Sequence, residues 1–283
     1  MGYQEYEAKG PLADVVEAFW CYQPALSGPK WDILIPEGVV DVIFNFGAPY
    51  YRQPFASYHQ GEWVSGDVFI GQRSDLFKIR WPHNTKLFSI RVKPAAAYQL
   101  CATPMVALTN RAINLIQLGL MALSQRLKSI GFANKEQLVE TCHQMLPDLI
   151  RPPGSGELNV KQAIQLIEQR QGELDVKTVC GQLAMSSRTL ERQFQQYVGL
   201  TPKYFIRVKR LHYFLYQHNG ERNDVMDAAF DAQYYDQSHF IREFRSFTGE
   251  TPHAFFKSPP EIYQPLLTSL NAQFERNNLQ KMK

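Results

Sequence analysis

Apolar and polar positions alternate with period two in the first third of the chain. In Val39–Phe46, Val40, Val42, Phe44 and Phe46 share one parity. In Phe77–Trp81, Phe77, Ile79 and Trp81 oppose Lys78 and Arg80, and in Phe88–Lys93, Phe88, Ile90 and Val92 oppose Ser89, Arg91 and Lys93. Such alternation, punctuated by Gly and Pro, predicts half-buried strands. The basic outer positions read as a solvated sheet exterior or as the lining of an anionic ligand site, and the first is the simpler reading. From Pro94 to Ile150 the period turns helical. Asn134 with Gln137 predicts a capping box that opens one helix. Ile113, Ile116, Leu120, Leu123, Leu127 and Ile130 fall at alternating spacings of three and four, the seam along which two helices pack. That seam reads equally as a dimer interface or as packing within its own domain, and Gly119 interrupts it.

The Pro, Gly and Ser of Arg151–Leu158 predict a linker. Beyond it only helical periodicity appears, beginning with the stripe Val160, Ile164 and Ile167. The expected organisation is a β-rich N-terminal domain ending in helices (1–150), a linker (151–158), an all-α domain (159–260) and a tail (261–283) with some helical spacing.

Within the all-α part a phrase recurs at an offset of fifty residues: TLERQFQQYVGLTP (Thr189–Pro202) and HFIREFRSFTGETP (His239–Pro252). Leu190, Phe194 and Tyr197 correspond to Phe240, Phe244 and Phe247, at i, i+4 and i+7, so they predict one buried helix face. Gly199 and Gly249 follow where a left-handed helix end favours glycine. Thr201-Pro202 and Thr251-Pro252 then supply an N-cap and a first-turn proline. A shorter helix precedes each copy, with Val176, Val179, Cys180 and Leu183 apolar in the first and Val225, Met226, Ala229 and Ala232 in the second. Ser186 or Ser187, and Asp236, cap the helices that follow. Each copy thus spells a helix-turn-helix unit.

The faces opposite the buried stripes carry Arg188, Glu191, Arg192 and Gln195 in the first copy, and Gln237, Ser238, Ile241, Arg242 and Arg245 in the second. Arg, Gln and Ser hydrogen-bond base edges and phosphates, and a helix fits the major groove. One such unit could be an ordinary α-hairpin with a solvated face; a tandem pair with matched Arg192 and Arg242 points to DNA. The stretch Thr201–His218, as one helix, would span about 27 Å, near the ~34 Å between successive major-groove faces. Its Lys203, Arg207, Lys209 and Arg210 are candidate phosphate contacts or surface charge.

Charge sharpens this only slightly. Residues 1–157 carry 14 basic and 14 acidic side chains, and residues 158–283 carry 16 and 13, so the net +3 falls wholly in the second part. Four scattered cysteines (Cys21, Cys101, Cys142, Cys180) without a C-x-x-C pair fit reduced thiols. No apolar run approaches membrane-span length, and the N-terminus lacks signal-peptide character. A cytoplasmic protein without membrane association or cofactor is expected.

Residues Leu158–Pro260 resemble the DNA-binding domain of AraC/XylS-type bacterial transcription regulators. The resemblance is carried by LAMSSRTLERQF (Leu183–Phe194), YYDQSHFIREF (Tyr234–Phe244) and FTGETPHAFF (Phe247–Phe256). Two positions depart from the family pattern: Gln233 stands where glycine is usual, which would alter the second turn, and Cys180 where alanine is usual. The resemblance implies an α+β chain whose seven-helix domain lays two recognition helices in neighbouring major grooves of promoter or operator DNA. The implied readers are Arg188, Glu191, Arg192, Gln195, Gln237, Ser238, Arg242 and Arg245, with His239 directed at phosphate or a neighbouring turn. An N-terminal sensing or dimerising domain is implied as well, and RNA polymerase, a small-molecule effector and a second copy are the further candidate partners. An effector pocket would draw on Trp31, Phe44, Phe46, Phe77 and Trp81, although plain core packing explains each of these too.

Two other classes compete with this reading. An enzyme is not indicated: His59, His83 and His143 are isolated, Cys142 and His143 are neighbours that face apart on a helix, and there is no G-x-S-x-G or phosphate loop. A helical protein-interaction adaptor is the alternative to DNA binding, and the outward arginines weigh against it.

Overall fold

The computed structural model describes residues 2–24, 31–55, 61–218, 225, 229, 230, 232, 234, 236–260 and 263–281. Ten strands come first: β1 (Tyr3–Glu7), β2 (Val16–Tyr22), β3 (Trp31–Leu34), β4 (Val40–Asn45), β5 (Tyr50–Pro54), β6 (Glu62–Val64), β7 (Val68–Ile70), β8 (Phe77–Arg80), β9 (Leu87–Val92) and β10 (Ala112–Asn114). They form a six-stranded sheet in the order β1-β2-β9-β4-β7-β10 and a four-stranded sheet in the order β3-β8-β5-β6, with all pairings antiparallel. The helices α1 (Ala97–Cys101), α2 (Met121–Ile130) and α3 (Lys135–Leu149) belong to the same half.

The predicted alternation holds for β8, where Phe77 and Ile79 are buried and Arg80 is exposed, with Trp81 buried just beyond. In β4 and β9 every residue is buried. Both are central strands covered on two faces, so their polar parity is not a solvated exterior: Ser89 and Arg91 are as enclosed as the apolar residues beside them. On one face Phe19, Val42, Phe44, Phe88 and Ile90 meet Leu123 and Leu127 of α2 and Leu138, Cys142 and Leu146 of α3. On the other, Trp20, Tyr22, Ile43 and Leu87 meet Tyr50, Ile79 and Trp81 of the smaller sheet. The N-terminal half is therefore three layers: helices, sheet, sheet.

The heptad seam is not one helix. Ile113 lies in β10, Ile116 in a 3-10 turn (Leu115–Leu118), and only Leu123, Leu127 and Ile130 in α2. Gly119 at φ 74° and the Asn114 side chain, which accepts from the Ile116 N–H, break the periodicity. Leu120, Leu123 and Leu127 are buried in the core of their own domain, so they are unavailable to a second copy. Asn134 does stand immediately before α3, but its side chain makes no capping bond; its Nδ2 donates to the Ile130 carbonyl.

The C-terminal half contains α4 (Ser155–Gln169), α5 (Val176–Gln182), α6 (Ser187–Tyr197), α7 (Pro202–His218), α8 (Gln237–Thr248), α9 (Pro252–Lys257) and α10 (Tyr263–Lys281), with further helical residues at Val225, Ala229 and Phe230. The predicted linker is shorter than expected. Helix α4 starts inside it, because Glu157 folds back to accept from the Gly154 N–H at 2.9 Å while Arg151 pairs with the same carboxylate at 2.9 Å. The tail is helix α10, whose Leu266, Leu267, Leu270 and Phe274 are buried in the second helical core.

The halves are joined through buried polar and apolar contacts. Ile35 sits in the second helical core and Ala95 in the first. Thr109 Oγ1 donates to the Gly199 carbonyl at 2.7 Å, and Tyr204 Oη to that of Ser74 at 2.8 Å. Fully buried His212 places Nε2 3.4 Å from the Pro36 carbonyl. Burial, followed by nearby Lys209, lowers the His212 pKa to about 3. Because the native pKa lies below the unfolded one, protons favour the unfolded chain. The stability linked to His212 is therefore complete above about pH 6.5 and is lost as pH falls toward 3. We expect acid unfolding of His212→Phe to begin at lower pH than in the wild type, read by circular dichroism.

Candidate nucleic-acid interface and effector cavity

Each helix-turn-helix unit is built by local rules. In the first, Asp175 caps α5 and Ser186 caps α6, its Oγ accepting from the Thr189 N–H at 3.1 Å. In the second, Asp236 caps α8, accepting from the His239 N–H at 2.8 Å. We expect Ser186→Ala and Asp236→Ala each to cost about 0.5–2 kcal/mol of stability in denaturant titration. Gly199 (φ 90°) and Gly249 (φ 80°) take up the left-handed region that follows α6 and α8. Thr201 and Thr251 then accept from the N–H groups of Tyr204 and Ala254, as N-caps of the next helices.

Gly199 also meets the N-terminal half. A Cβ there would lie 2.7 Å from Thr109 Oγ1 and 2.8 Å from the Met105 carbonyl oxygen. Gly199→Ala should cost at least the ~1–2 kcal/mol of a left-handed L-residue and lower the thermal midpoint.

Helix α7 is the shared spine. Phe205 and Ile206 enter the first core with Leu190 and Phe194, while Val208, Leu211, Phe214 and Leu215 enter the second with Phe240, Phe244 and Phe247. At 17 residues it is about 26 Å long. Its expected basic face is mostly structural. Arg207 pairs with Glu243 at 2.8 Å, buried Lys209 pairs with Glu168 at 2.8 Å, and Arg210 donates to the Gly172 carbonyl. Lys203 alone of the four is exposed.

The expected readers lie as their spacing requires. Arg188, Glu191, Arg192 and Gln195 are exposed along α6, and Gln237, Ser238, Arg242 and Arg245 along α8. His239 turns back toward its own unit, with Nε2 3.9 Å from Glu243 and its ring against Tyr234. Gln233, Met226 and His59 lie outside the described residues.

Residues 179–258 match the family model of a helix-turn-helix domain. The chain carries a helix-turn-helix domain and is a DNA-binding transcriptional regulator. Residues 4–114 of this regulator match a second family model, that of a domain of unknown function (DUF6597). No curated protein matches the chain. Among solved structures, ToxT from Vibrio cholerae is similar at 10% identity over 91% of this chain and 98% of its own, with a TM-score of 0.47. Unsaturated-fatty-acid-bound ToxT is similar at 8% identity over 83% and 96%, with a TM-score of 0.42. The AraC-like transcriptional activator CuxR is similar at 13% identity over 74% and 84%, with a TM-score of 0.26. The assignment rests on the helix-turn-helix match and the tandem geometry, not on these distant likenesses.

The regulator's N-terminal half holds a cavity of about 70 Å³ between its two sheets, lined by Trp20, Tyr22, Tyr50, Phe77, Trp81 and Arg91 among others. Of the five aromatic residues expected at an effector pocket, Phe77 and Trp81 are there. Phe44 has the opposite parity on β4 and faces α2 and α3. Phe46 packs on Phe132 beneath Lys128. Trp31 lies on the outside of the smaller sheet, 52% exposed.

The polar lining was not anticipated. Arg91 bonds Glu37 at 3.2 Å, Asp41 at 3.5 Å and Ser269 of α10 at 2.6 Å. Arg73 pairs with Glu37, Trp20 Nε1 donates to Asp41 at 2.9 Å, and the Arg52 guanidinium lies over the Phe77 ring. Pro265 and Leu266 of α10 complete the wall. Burial raises the hydroxyl pKa of Tyr3, which also lines the cavity, well above the usual tyrosine value. The sequence did hold a signal: Asp41 interrupts the apolar run Val39–Phe46, and Arg52 shares the inward parity of Tyr50.

No helix among the described residues is long and apolar enough to cross a membrane. Nor do the described residues hold a group of three or more His, Cys, Asp or Glu side chains suited to a metal ion.

Proposed function

We propose that α6 and α8 read two neighbouring major-groove segments, Arg188, Glu191, Arg192 and Gln195 making the contacts of one and Gln237, Ser238, Arg242 and Arg245 those of the other. The observation that carries this reading is the tandem itself: two capped, glycine-terminated helices on one spine, each with a stripe of exposed donors opposite its buried face. Arginine forks suit guanine edges and amide side chains suit adenine. The N-terminal half acts as the sensing domain, its effector entering between the sheets against Phe77, Trp81 and Arg91. Leu266 lines that cavity from the helical half and Ser269 accepts from its Arg91, so a bound molecule would bear on both halves.

Fluorescence anisotropy with duplex DNA from about 50 to 200 mM salt tests the first part. Several phosphate contacts give a steep linear fall of log affinity with log salt. A salt-insensitive affinity would favour the protein-adaptor reading. For the second part, a ligand that quenches Trp20 and Trp81 should lose its effect in Trp81→Ala.

A further inference from the structure

Each proposed reader stripe, followed one turn past its helix, runs into the N-terminal half. Gly199 stands four residues after Gln195 and seven after Arg192. Gly249 stands four after Arg245 and seven after Arg242, so both glycines continue the exposed faces of α6 and α8. Both ends are covered. A Cβ on Gly199 would lie 2.8 Å from the Met105 carbonyl oxygen, and Thr109 Oγ1 donates to the Gly199 carbonyl at 2.7 Å. A Cβ on Gly249 would lie 2.9 Å from the Phe55 ring.

At both contacts the N-terminal half carries cations. Beside Gly249, Lys78 Nζ lies over the Phe55 ring, 4.8 Å from its centroid. Arg80 follows two residues along β8, on the same face of the strand about 7 Å away, and is exposed. Beside Gly199, Arg111 is exposed two residues after Thr109, with Nη1 donating to the Ala107 carbonyl at 3.2 Å. Among the described residues, none of these three cations pairs with a carboxylate. Asp75 and Glu250 border the same rim, and Asp75 already accepts from Asn110 Nδ2 at 2.9 Å.

We propose that this rim of the N-terminal half is itself a DNA-binding surface. With α6 and α8 seated in their grooves, Lys78, Arg80 and Arg111 contact the phosphates that border those grooves. The inference rests on the reading of α6 and α8 as DNA-reading helices and adds a sequence-independent part to it. Two observations choose the occupant. The rim is continuous with both exposed stripes, at the C-terminal end of each helix. Its unpaired cations complement a duplex that carries one negative charge per ~1.7 Å of axis. Contacts of this kind fix register and orientation and carry no sequence information directly. A movement of the N-terminal half would then change affinity for every duplex without touching a reader.

Fluorescence anisotropy of the full chain on operator and on random duplex, from about 50 to 200 mM salt, tests this. Lys78→Gln, Arg80→Gln and Arg111→Gln should each reduce the slope of log affinity against log salt by about one. Each should lower affinity at ~100 mM salt by roughly five- to tenfold. The loss should be equal on the two duplexes, which separates these residues from Arg192 and Arg242, and the thermal midpoint should stay at the wild-type value. Wild-type binding that falls steeply with salt, with the slope unchanged in all three variants, would overturn this proposal and leave the reading of α6 and α8 intact. A loss confined to the operator would overturn it as well. Affinity that rises in the variants would overturn it and make the N-terminal half an obstruction to DNA. A wild-type affinity indifferent to salt would overturn both readings together.

Discussion

Arg192→Ala should weaken binding to the specific operator by about 1–3 kcal/mol, or roughly 5- to 150-fold, while hardly changing the affinity for random duplex. Arg192 stands in the middle of the exposed stripe of α6, and its register counterpart Arg242 holds the same place on α8. A bidentate fork on a guanine edge carries this difference between sequences, whereas a phosphate contact lowers both affinities together and reduces the salt slope by about one. Competition binding with operator and scrambled duplex distinguishes the two. Equal losses on both would remove Arg192 from the readers and leave it on the backbone. Arg242→Ala should behave in the same way, with the loss confined to the other half of the site.

The largest stability loss should come from α7 rather than from α6 or α8. Phe214 is fully buried, 4.7 Å from Phe240 and 5.8 Å from Phe244 between ring centroids, and it also packs on Phe256. Phe214→Ala removes the ring about which the second unit is assembled, and a truncation of that size in a closed core costs about 3–5 kcal/mol. The first unit has its own core on the other half of the spine, with Phe194 and Phe205 stacked edge to face. The variant should therefore lose protection from hydrogen exchange in α8 and α9 before α5 and α6. Uniform loss across both units would mean that they unfold as one.

The helix-turn-helix units were legible because their signals are local. Caps at Ser186 and Asp236, glycines at 199 and 249, and apolar residues at i, i+4 and i+7 each act within a turn or two. The chain need not be folded elsewhere for them to mean what they say.

The N-terminal half depends on which face of which strand meets what. Phe44 and Phe77 look alike in a strand pattern, yet sheet order sends one toward α2 and α3 and the other into the space between the sheets. Arg91 read as an outward residue because a lone strand cannot reveal that β9 lies between β2 and β4. The leucine and isoleucine spacing from Ile113 to Ile130 suited a helix, but a glycine at positive φ and an asparagine cap divided it among three elements. Helix α10 carried too weak a stripe to show that it would reach back to Arg91.

Reading of DNA by two helices, rather than by one, is the central expectation. The most direct test is selection of bound sequences from a random duplex library by the whole protein at near-physiological salt. Two conserved blocks centred about 10 base pairs apart, one helical turn, are the predicted result, with α6 and α8 each answering for one. A single conserved block, or blocks at a spacing that a spine of about 26 Å cannot hold, would contradict it.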